Sequence, residues 1–376
     1  MRVIKNVDII KPNQVLKGYD IKFSDKILAI EKDIEVDDDN QIIDGNGYYL
    51  SPGFIDLHMH GSFGIDLMSA KKNDIKEMAD ALTKVGTTSF LPTVMTASIE
   101  RMESAIKNIQ EVINKENNVI KGINLEGPLL NPAKAGAQDK KYMKALNFEL
   151  FDRYQEIIKI VTVAPEVEGA TDLLNKLNSL NIVSAMGHTN ASYEESLQGF
   201  KKGISLVTHL FNGMKGIHHR EIGAAGAALL ENISTEIIVD GIHISRPMIQ
   251  MILRLKSLDN LILITDAQPA ALYEGDQIQF NERKVILKDG SARFEDGTLA
   301  GSILSMQKAV KNMAEFTDLS IDKIIKMATL NPARKINFDS KIGSIELNKK
   351  ADLILMDKSL DIINVFKEGK QKCEVK

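Results

Sequence analysis

The chain has 376 residues, of which 44% are hydrophobic and 26% charged, a balance that argues against a disordered protein. Its net charge is −4 and it carries no basic stripe with interleaved aromatic residues, so we expect no nucleic acid partner. Its first eight residues interleave charged and apolar side chains, so we expect no signal peptide there. It has no run of about 18 apolar residues, and its single cysteine, Cys373, excludes an intrachain disulfide. We therefore predict a cytoplasmic protein with no membrane contact and a small-molecule partner.

Residues 1–50 alternate apolar and polar side chains, with turn sequences around Pro12 and Gly45, which predicts a series of short β-strands. From Ser51 onward, apolar runs alternate with stretches of helix length, which is typical of repeated βα units and a parallel sheet. Eight such runs are present, at residues 53–58, 87–94, 119–125, 157–164, 182–186, 204–209, 237–240 and 261–265.

Amphipathic stretches predict the helices that connect these strands. They lie at residues 71–84, 98–114, 170–180, 192–201 and 246–256, and the small residues of 223–230 predict a tightly packed helix. The pattern predicts an α/β fold, a (β/α)8 TIM-like barrel, for which about 250 residues is typical. The predicted barrel is longer than this because of two insertions, a loop after Glu126 and a hairpin-like segment at 268–298. Long loops on a barrel are usually functional.

Beyond the predicted helices at 302–316 and 321–330, β character resumes at 342–345 and 351–356. We expect the two chain ends to pair into one small β-sandwich domain. The predicted division is a first part of this small domain at 1–51, a metal-dependent barrel catalytic domain at 52–337 and the second part of the small domain at 338–376.

Barrel enzymes place their chemistry at the carboxyl ends of the strands, and here five apolar runs end in histidine or an acid. One such histidine would more often be a core residue, but five strand ends together favour a site. His58 and His60 are two apart on a strand and point the same way, so they can reach one ion. The candidate residues are His58, His60, Glu126, His188, His209 and Asp266.

Imidazole and carboxylate ligands suit zinc, iron, manganese or cobalt. A cation also resolves the free-energy cost of burying Glu126 and Asp266 at the ends of apolar strands. A bound divalent ion lowers the pKa of water toward about 7 and polarises a carbonyl, which predicts hydrolysis of an amide or ester. Asp266 is then placed to carry the proton from water to the leaving nitrogen, and its alternative role is to cap a following helix.

These residues and their neighbours resemble the amidohydrolase superfamily, and within it the branch that deacetylates N-acetyl amino sugar phosphates. The resemblance covers nearly the whole chain; the His-x-His pair alone marks only the superfamily, whereas the full set in this order is specific. The matching segments are residues 52–61, 125–128, 187–189, 208–214, 219–221, 240–243, 264–267, 299–302 and 331–334.

The resemblance implies conversion of N-acetylglucosamine 6-phosphate to glucosamine 6-phosphate and acetate in amino sugar catabolism. A metal-activated water would attack the amide carbonyl, with Asp266 as general base and then acid. One or two divalent ions per subunit are implied, zinc being the first expectation. Glu126, His188 and His209 would hold the main ion, and His58 and His60, with Glu126, a second one.

The resemblance also implies a set of substrate contacts. His243 and Arg220 would meet the phosphate, with Arg220 arriving from the neighbouring subunit of a homodimer. Many relatives carry histidine where this chain has Gln138, whose amide can donate a hydrogen bond to the acetyl carbonyl but cannot be cationic. The sugar would be lined by residues Ala137, Asn212, Gly213, Leu299, Ala300 and Gly301.

Three alternatives stay open at the level of the sequence. The first is an N-acetylgalactosamine-6-phosphate deacetylase, since the epimers differ only in the direction of one hydroxyl. The second is a cyclic amidase of the dihydroorotase or hydantoinase type, against which stands the absence of a lysine at the end of any middle strand. The third is an inactive sugar-phosphate sensor, which has no need of a proton shuttle such as Asp266.

Overall fold

The computed structural model describes residues 1–113, 119–143 and 148–374. Within these ranges no helix is both long and apolar enough to cross a membrane. The strands are, in chain order, β1 (Arg2–Lys11), β2 (Gln14–Phe23), β3 (Ile27–Glu31), β4 (Gln41–Asp44), β5 (Tyr49–Pro52), β6 (Phe54–Met59), β7 (Gly61–Ser62), β8 (Ile65–Asp66), β9 (Thr87–Met95), β10 (Ile123–Glu126), β11 (Ile158–Val163), β12 (Val183–Met186), β13 (Ile204–Val207), β14 (Ser234–Ile238), β15 (Leu261–Ile264), β16 (Gln277–Phe280), β17 (Arg283–Lys288), β18 (Ser291–Phe294), β19 (Leu353–Met356), β20 (Ile362–Lys367) and β21 (Lys370–Glu374).

The predicted helices are present, with shifted ends. The sequence analysis did not predict α3 or α10, and the helix that it predicted at 321–330 ends at Ala328. The predicted start of α8 was four residues too early, because Ser302 instead bridges to Ala267 beside the last barrel strand. Residue 114, the last of one predicted helix, lies outside the described residues. The helices are α1 (Lys72–Lys84), α2 (Ile99–Ile113), α3 (Phe148–Tyr154), α4 (Ala170–Ser179), α5 (Tyr193–Lys201), α6 (Gly223–Leu230), α7 (Arg246–Leu255), α8 (Met306–Phe316), α9 (Ile321–Ala328) and α10 (Leu330–Lys335).

The predicted barrel is confirmed. Its eight strands form one sheet in the order β15-β14-β13-β12-β11-β10-β9-β6. At the carboxyl edge the sheet closes, since Met59 forms a parallel bridge with Ala267 and the Asp266 amide donates to the His58 carbonyl at 2.9 Å. Strands such as β15 are buried along their whole length, as expected for a parallel sheet covered on both faces.

The predicted β domain built from both chain ends is also present. Strand β5 pairs in parallel with β1 and antiparallel with β19, which joins the amino-terminal and carboxyl-terminal strands into one eight-stranded sheet. Phe23 on β2 and Phe366 on β20 have ring centroids 5.2 Å apart, although three strands separate them in the sheet. A flat sheet would hold them about 19 Å apart, so this sheet folds over its own apolar core as a sandwich does.

The chain divides into two compact units. The first comprises Met1–Asp56, Ala79–Ser89 and Met306–Lys376, and the second Leu57–Met78 and Phe90–Ser305. The boundaries predicted from the sequence, after residues 51 and 337, remain a proposal. Every candidate site residue lies in the second unit.

Candidate active site

The six residues predicted to form the site meet at the carboxyl edge of the barrel, and all are at least nine-tenths buried. Three of them lie two residues after the end of a barrel strand and have left-handed backbone, with φ of 46° at His188, 29° at His209 and 49° at Asp266. Residues other than glycine rarely adopt this conformation, and such strain concentrates at functional sites. The backbone therefore turns sharply where each strand delivers its side chain.

Glu126, at the end of β10, is the centre of the cluster. Its Oε1 lies 2.8 Å from Nε2 of His188, 3.0 Å from Nε2 of His209 and 3.6 Å from Nε2 of His58. Its Oε2 lies 3.5 Å from Nε2 of His60. Burial alone would raise the pKa of Glu126, but these imidazoles hold it well below its usual value, so the carboxylate is ionised.

Asp266 follows β15, the last barrel strand, and contacts two of the same histidines, His58 and His60. Its Oδ1 lies 3.1 Å from Nε2 of His60 and 3.5 Å from Nε2 of His58. Burial opposes ionisation, but the hydrogen bond from His60 and the charge of His58 lower the pKa of Asp266 to about 2. The group is therefore a carboxylate at neutral pH, which is the form that accepts a proton.

His58 is held from behind by an acid that the sequence reading missed. Glu236 on β14 is fully buried, and its Oε2 lies 3.5 Å from Nδ1 of His58. Burial lowers the pKa of His58, but Glu126, Glu236 and Asp266 together raise it to about 10. The signal in the sequence was an acid directly before the apolar pair Ile237 and Ile238, which the predicted run 237–240 left out because it began one residue later.

The donor atoms fit a divalent metal. His58, Glu126 and His209 offer ligand atoms within 4.8 Å of one another, and so do His58, His60 and Asp266. His188 donates from Nδ1 to the Lys134 carbonyl at 2.8 Å, which leaves Nε2 to face the cluster. Histidine and carboxylate ligands without thiolates suit a first-row divalent ion.

Gln138 contacts the centre of the cluster directly. Its Nε2 donates to Oε2 of Glu126, and its Oε1 accepts from the Thr96 amide at 3.0 Å. The side chain is buried, and both ends of its amide are engaged. In this structure Gln138 therefore orients Glu126, and its predicted contact with the substrate stays a prediction.

A cavity of about 380 Å³ opens onto the cluster. The structure brings most predicted sugar-lining residues to it, but Ala300 is fully buried and donates its amide to the Ala292 carbonyl at 3.0 Å. Gly213 has φ of 55°, and a Cβ there would stand 2.8 Å from Nδ1 of His188, so only glycine fits this approach. The predicted substrate-binding residues that line the cavity are Ala137, Gln138, Asn212, Gly213, His243, Leu299 and Gly301.

The predicted hairpin at 268–298 proves to be a three-stranded antiparallel sheet, β16-β17-β18, that forms part of the cavity wall. Phe280 is buried, with its ring centroid 5.9 Å from that of His60. Asn281 donates to the Ala137 carbonyl at 3.2 Å, which ties this sheet to the loop after Glu126. Phe280 and Arg293 both line the cavity, and the sequence reading found neither of them.

Arg220 lies away from the cavity of its own chain. It is exposed, in an exposed segment that also includes His218 and His219, and its Nη1 lies 2.6 Å from Nε2 of His219. The two predicted phosphate ligands are therefore not brought together within one chain, since only His243 reaches the cavity.

His243 is paired with Asp240, which lies two residues after the end of β14. Nδ1 of His243 lies 2.6 Å from Oδ2 of Asp240, and their side chains are only 6% and 11% exposed. Burial lowers the pKa of His243, but the hydrogen bond and the charge of Asp240 raise it above its ordinary value. The pair therefore places at the cavity an imidazole whose protonated form Asp240 stabilises.

Replacing Asp240 with asparagine is expected to lower the free energy of unfolding by about 2 kcal/mol near pH 6. Because the folded-state pKa of His243 is raised, its stabilisation is complete below 6.5 and is lost as pH rises through the folded value. Because the pKa of Asp240 is lowered, its share is present above 3.8 and is lost as pH falls. Denaturant unfolding of both proteins across this range tests the prediction, which a pH-independent difference would contradict.

The fold is a parallel βα barrel with four histidines and two carboxylates at the carboxyl ends of its strands. This is the class of barrel protein whose ligand set suits a divalent metal. The family model of the amidohydrolase family matches residues 49–376, and the chain belongs to this family.

Among its relatives, the chain is 34% identical to N-acetylglucosamine-6-phosphate deacetylase of Bacillus subtilis (strain 168), over 98% of this chain and 96% of that protein. It is 30% identical to N-acetylgalactosamine-6-phosphate deacetylase of Escherichia coli O157:H7, over 94% of each. The crystal structure of N-acetylglucosamine-6-phosphate deacetylase from Pasteurella multocida superposes with a TM-score of 0.94 at 32% identity, covering 98% of this chain and 99% of that one.

Proposed function

We propose that this chain hydrolyses N-acetyl-D-glucosamine 6-phosphate to D-glucosamine 6-phosphate and acetate. The observation that carries the proposal is the joint placement of Asp266, the Glu126 cluster and the Asp240-paired His243 on one cavity of about 380 Å³, a size that suits a small ligand. The relatives of similar length support it, since several are named as deacetylases of this substrate.

Glu126, His188 and His209 would hold the main metal ion, and His58 and His60 with Glu126 a second one. When bound, a divalent ion lowers the pKa of water and polarises the acetyl carbonyl. Zinc is the first choice because it favours imidazole and carboxylate ligands and leaves a position open, with iron, manganese and cobalt as alternatives.

Asp266 is the proposed general base and acid. As an ionised carboxylate beside His60, it accepts the proton of the attacking water. It then returns that proton to the amide nitrogen as the carbon–nitrogen bond breaks. The sugar leaves as a neutral amine, and the acetic acid that forms releases its proton to give acetate. Phe280, packed against His60 in the cavity wall, limits the access of bulk water to these groups.

His243 is the proposed phosphate ligand of the same chain, and Arg220 of the neighbouring subunit completes it in a homodimer. The exposed position of Arg220 supports this arrangement, because it leaves the guanidinium accessible to a second copy. The sugar-lining role predicted for Ala137, Asn212, Gly213, Leu299 and Gly301 is proposed for backbone groups around the cavity. A cytoplasmic location fits a charged sugar phosphate substrate, which does not cross membranes unaided.

The galacto epimer is the alternative substrate, because N-acetylgalactosamine-6-phosphate deacetylases also occur among the relatives. The gluco epimer is favoured by the relative with 34% identity and by a solved structure with a TM-score of 0.94.

The test is acetate release from N-acetylglucosamine and N-acetylgalactosamine, each with and without the 6-phosphate. We expect turnover of the phosphorylated gluco epimer, loss of activity after chelation and its return when zinc is restored. Chelator-treated protein that has been given calcium controls for non-specific ion effects, because calcium prefers oxygen ligands. Activity that ignored the phosphate, or that survived metal removal, would overturn the proposal.

A further inference from the structure

Arg293 brings a cation of this chain's own to the cavity. It lies on β18, in the three-stranded sheet of the insertion, and its side chain is part of the cavity lining. Among the described residues that line the cavity it is the sole arginine, and no lysine joins it. Arg220, the arginine that the sequence singled out, does not line it.

The guanidinium of Arg293 is held in place by its own sheet. Its Nη1 donates to the Gly297 carbonyl at 2.9 Å, and its Nε donates to Oγ of Ser291 at 3.3 Å. The backbone is fixed by pairing with Ile286 on β17 and by a bridge to Leu299. Nη2 makes no hydrogen bond to any described residue, so it is available to a ligand. A preorganised cation of this kind loses little entropy when it binds an anion.

Arg293 and His243 both line this cavity, together with Thr298 and Leu299. The positive charge of Arg293 lowers the pKa of His243, so the two side chains interact electrostatically. Repulsion between the guanidinium and a protonated imidazole is unfavourable in the free protein. A dianionic phosphate placed between them would turn this repulsion into two attractions.

We propose that Arg293 binds the phosphate of the substrate alongside His243 and determines the preference for a phosphorylated sugar. The inference rests on the proposed function and extends it, because the phosphate then has two ligands from one chain before a second subunit contributes. The planar donor group of arginine matches phosphate oxygens, and charge-assisted hydrogen bonds of this kind are the stronger ones.

Arg283 offers a matched control. It lies on β17 of the same small sheet, where its guanidinium stacks on the Phe294 ring at 3.6 Å and pairs with Asp296 at 2.8 Å. It does not line the cavity. Arg283→Gln therefore removes the same charge from the same sheet without touching the proposed phosphate position.

Steady-state kinetics of Arg293→Gln test the proposal with N-acetylglucosamine 6-phosphate and with N-acetylglucosamine. We expect KM for the phosphorylated substrate to rise about 10- to 100-fold, mainly without loss of kcat, because the lost contact binds ground state and transition state alike. Arg293→Lys is expected to recover part of this loss, and Arg283→Gln to stay near the wild type. Equal losses on both substrates, or no loss on either, would overturn the proposal.

A binding measurement separates this inference from the proposed function. Calorimetric titration with glucose 6-phosphate requires no turnover, and glucose serves as its uncharged counterpart. Weaker binding of glucose 6-phosphate by Arg293→Gln, but not by Arg283→Gln, supports the phosphate role even if the wild type fails to deacetylate the proposed substrate. Unchanged binding by Arg293→Gln, or no binding by the wild type, would overturn it.

Discussion

Replacing Asp266 with asparagine is expected to lower kcat at least about 10³-fold while the fold and the bound metal are retained. Asparagine has the same shape, and its amide can still contact His60, but it cannot accept a proton from water or return one to nitrogen. Rates of acetate release at saturating substrate measure the loss, and elemental analysis of the same samples measures the metal.

The matched control for this variant is Asp289→Asn, in the exposed turn between β17 and β18. Asp289 has φ of 51°, a conformation that asparagine also tolerates, so the control changes charge by the same amount and keeps the backbone. It is expected to retain wild-type kcat. If Asp266→Asn kept more than about a tenth of kcat, Asp266 would not be the proton carrier, because general acid–base catalysis typically contributes far more than this.

The residues of the cluster could be predicted because parallel barrels obey a simple rule. Every strand of the barrel ends at the same edge, so a polar residue that terminates an apolar run must lie near the others. His188 and Asp266 are separated by many residues in the chain, yet both follow short buried strands, and the charge of Asp266 helps to raise the pKa of His188. Their position at the carboxyl edge follows from the strand ends alone and does not depend on the geometry of the loops.

Glu236 shows where that rule fails. It lies within β14 rather than after it, in a strand whose other residues are mostly buried, and it points to Nδ1 of His58. Alternation along a strand places it on one face, but only the closed barrel decides that this face is the interior. Arg293 and Phe280 were missed for a related reason, since nothing in the short strands of the insertion reveals which face lines a cavity.

Gln138 and Arg220 mark a second limit. The contact between Gln138 and Glu126 depends on the path of the loop after β10, where two short 3-10 turns replace any regular element. The proposed role of Arg220 depends on a second copy of the chain, which a single sequence does not contain. Side chains on irregular segments are fixed by tertiary packing, so sequence patterns identify their chemistry but not their targets.

Replacing Glu126 with glutamine is expected to abolish metal binding and activity together, unlike the change at Asp266. The carboxylate contacts Nε2 of four histidines, at distances from 2.8 to 3.6 Å, and no other acid among the described residues does so. The glutamine amide would direct N–H donors at the histidine Nε2 atoms, which have to face the metal ion. It would also remove the negative charge that balances the charge of the ion. Metal content after dialysis and acetate release measure the two losses.

Glu236→Gln is the graded control for this prediction. Glu236 is as deeply buried as Glu126, but it approaches His58 from the Nδ1 side and stays outside the groups of ligand atoms. Removing an acid that orients a metal-binding histidine typically weakens metal affinity about 10- to 100-fold. Glu236→Gln should therefore regain activity when zinc is added in excess, whereas Glu126→Gln should not. If Glu126→Gln retained one metal ion per chain after dialysis, the remaining histidines would hold the ion without it, and Glu126 would not be the centre of the site.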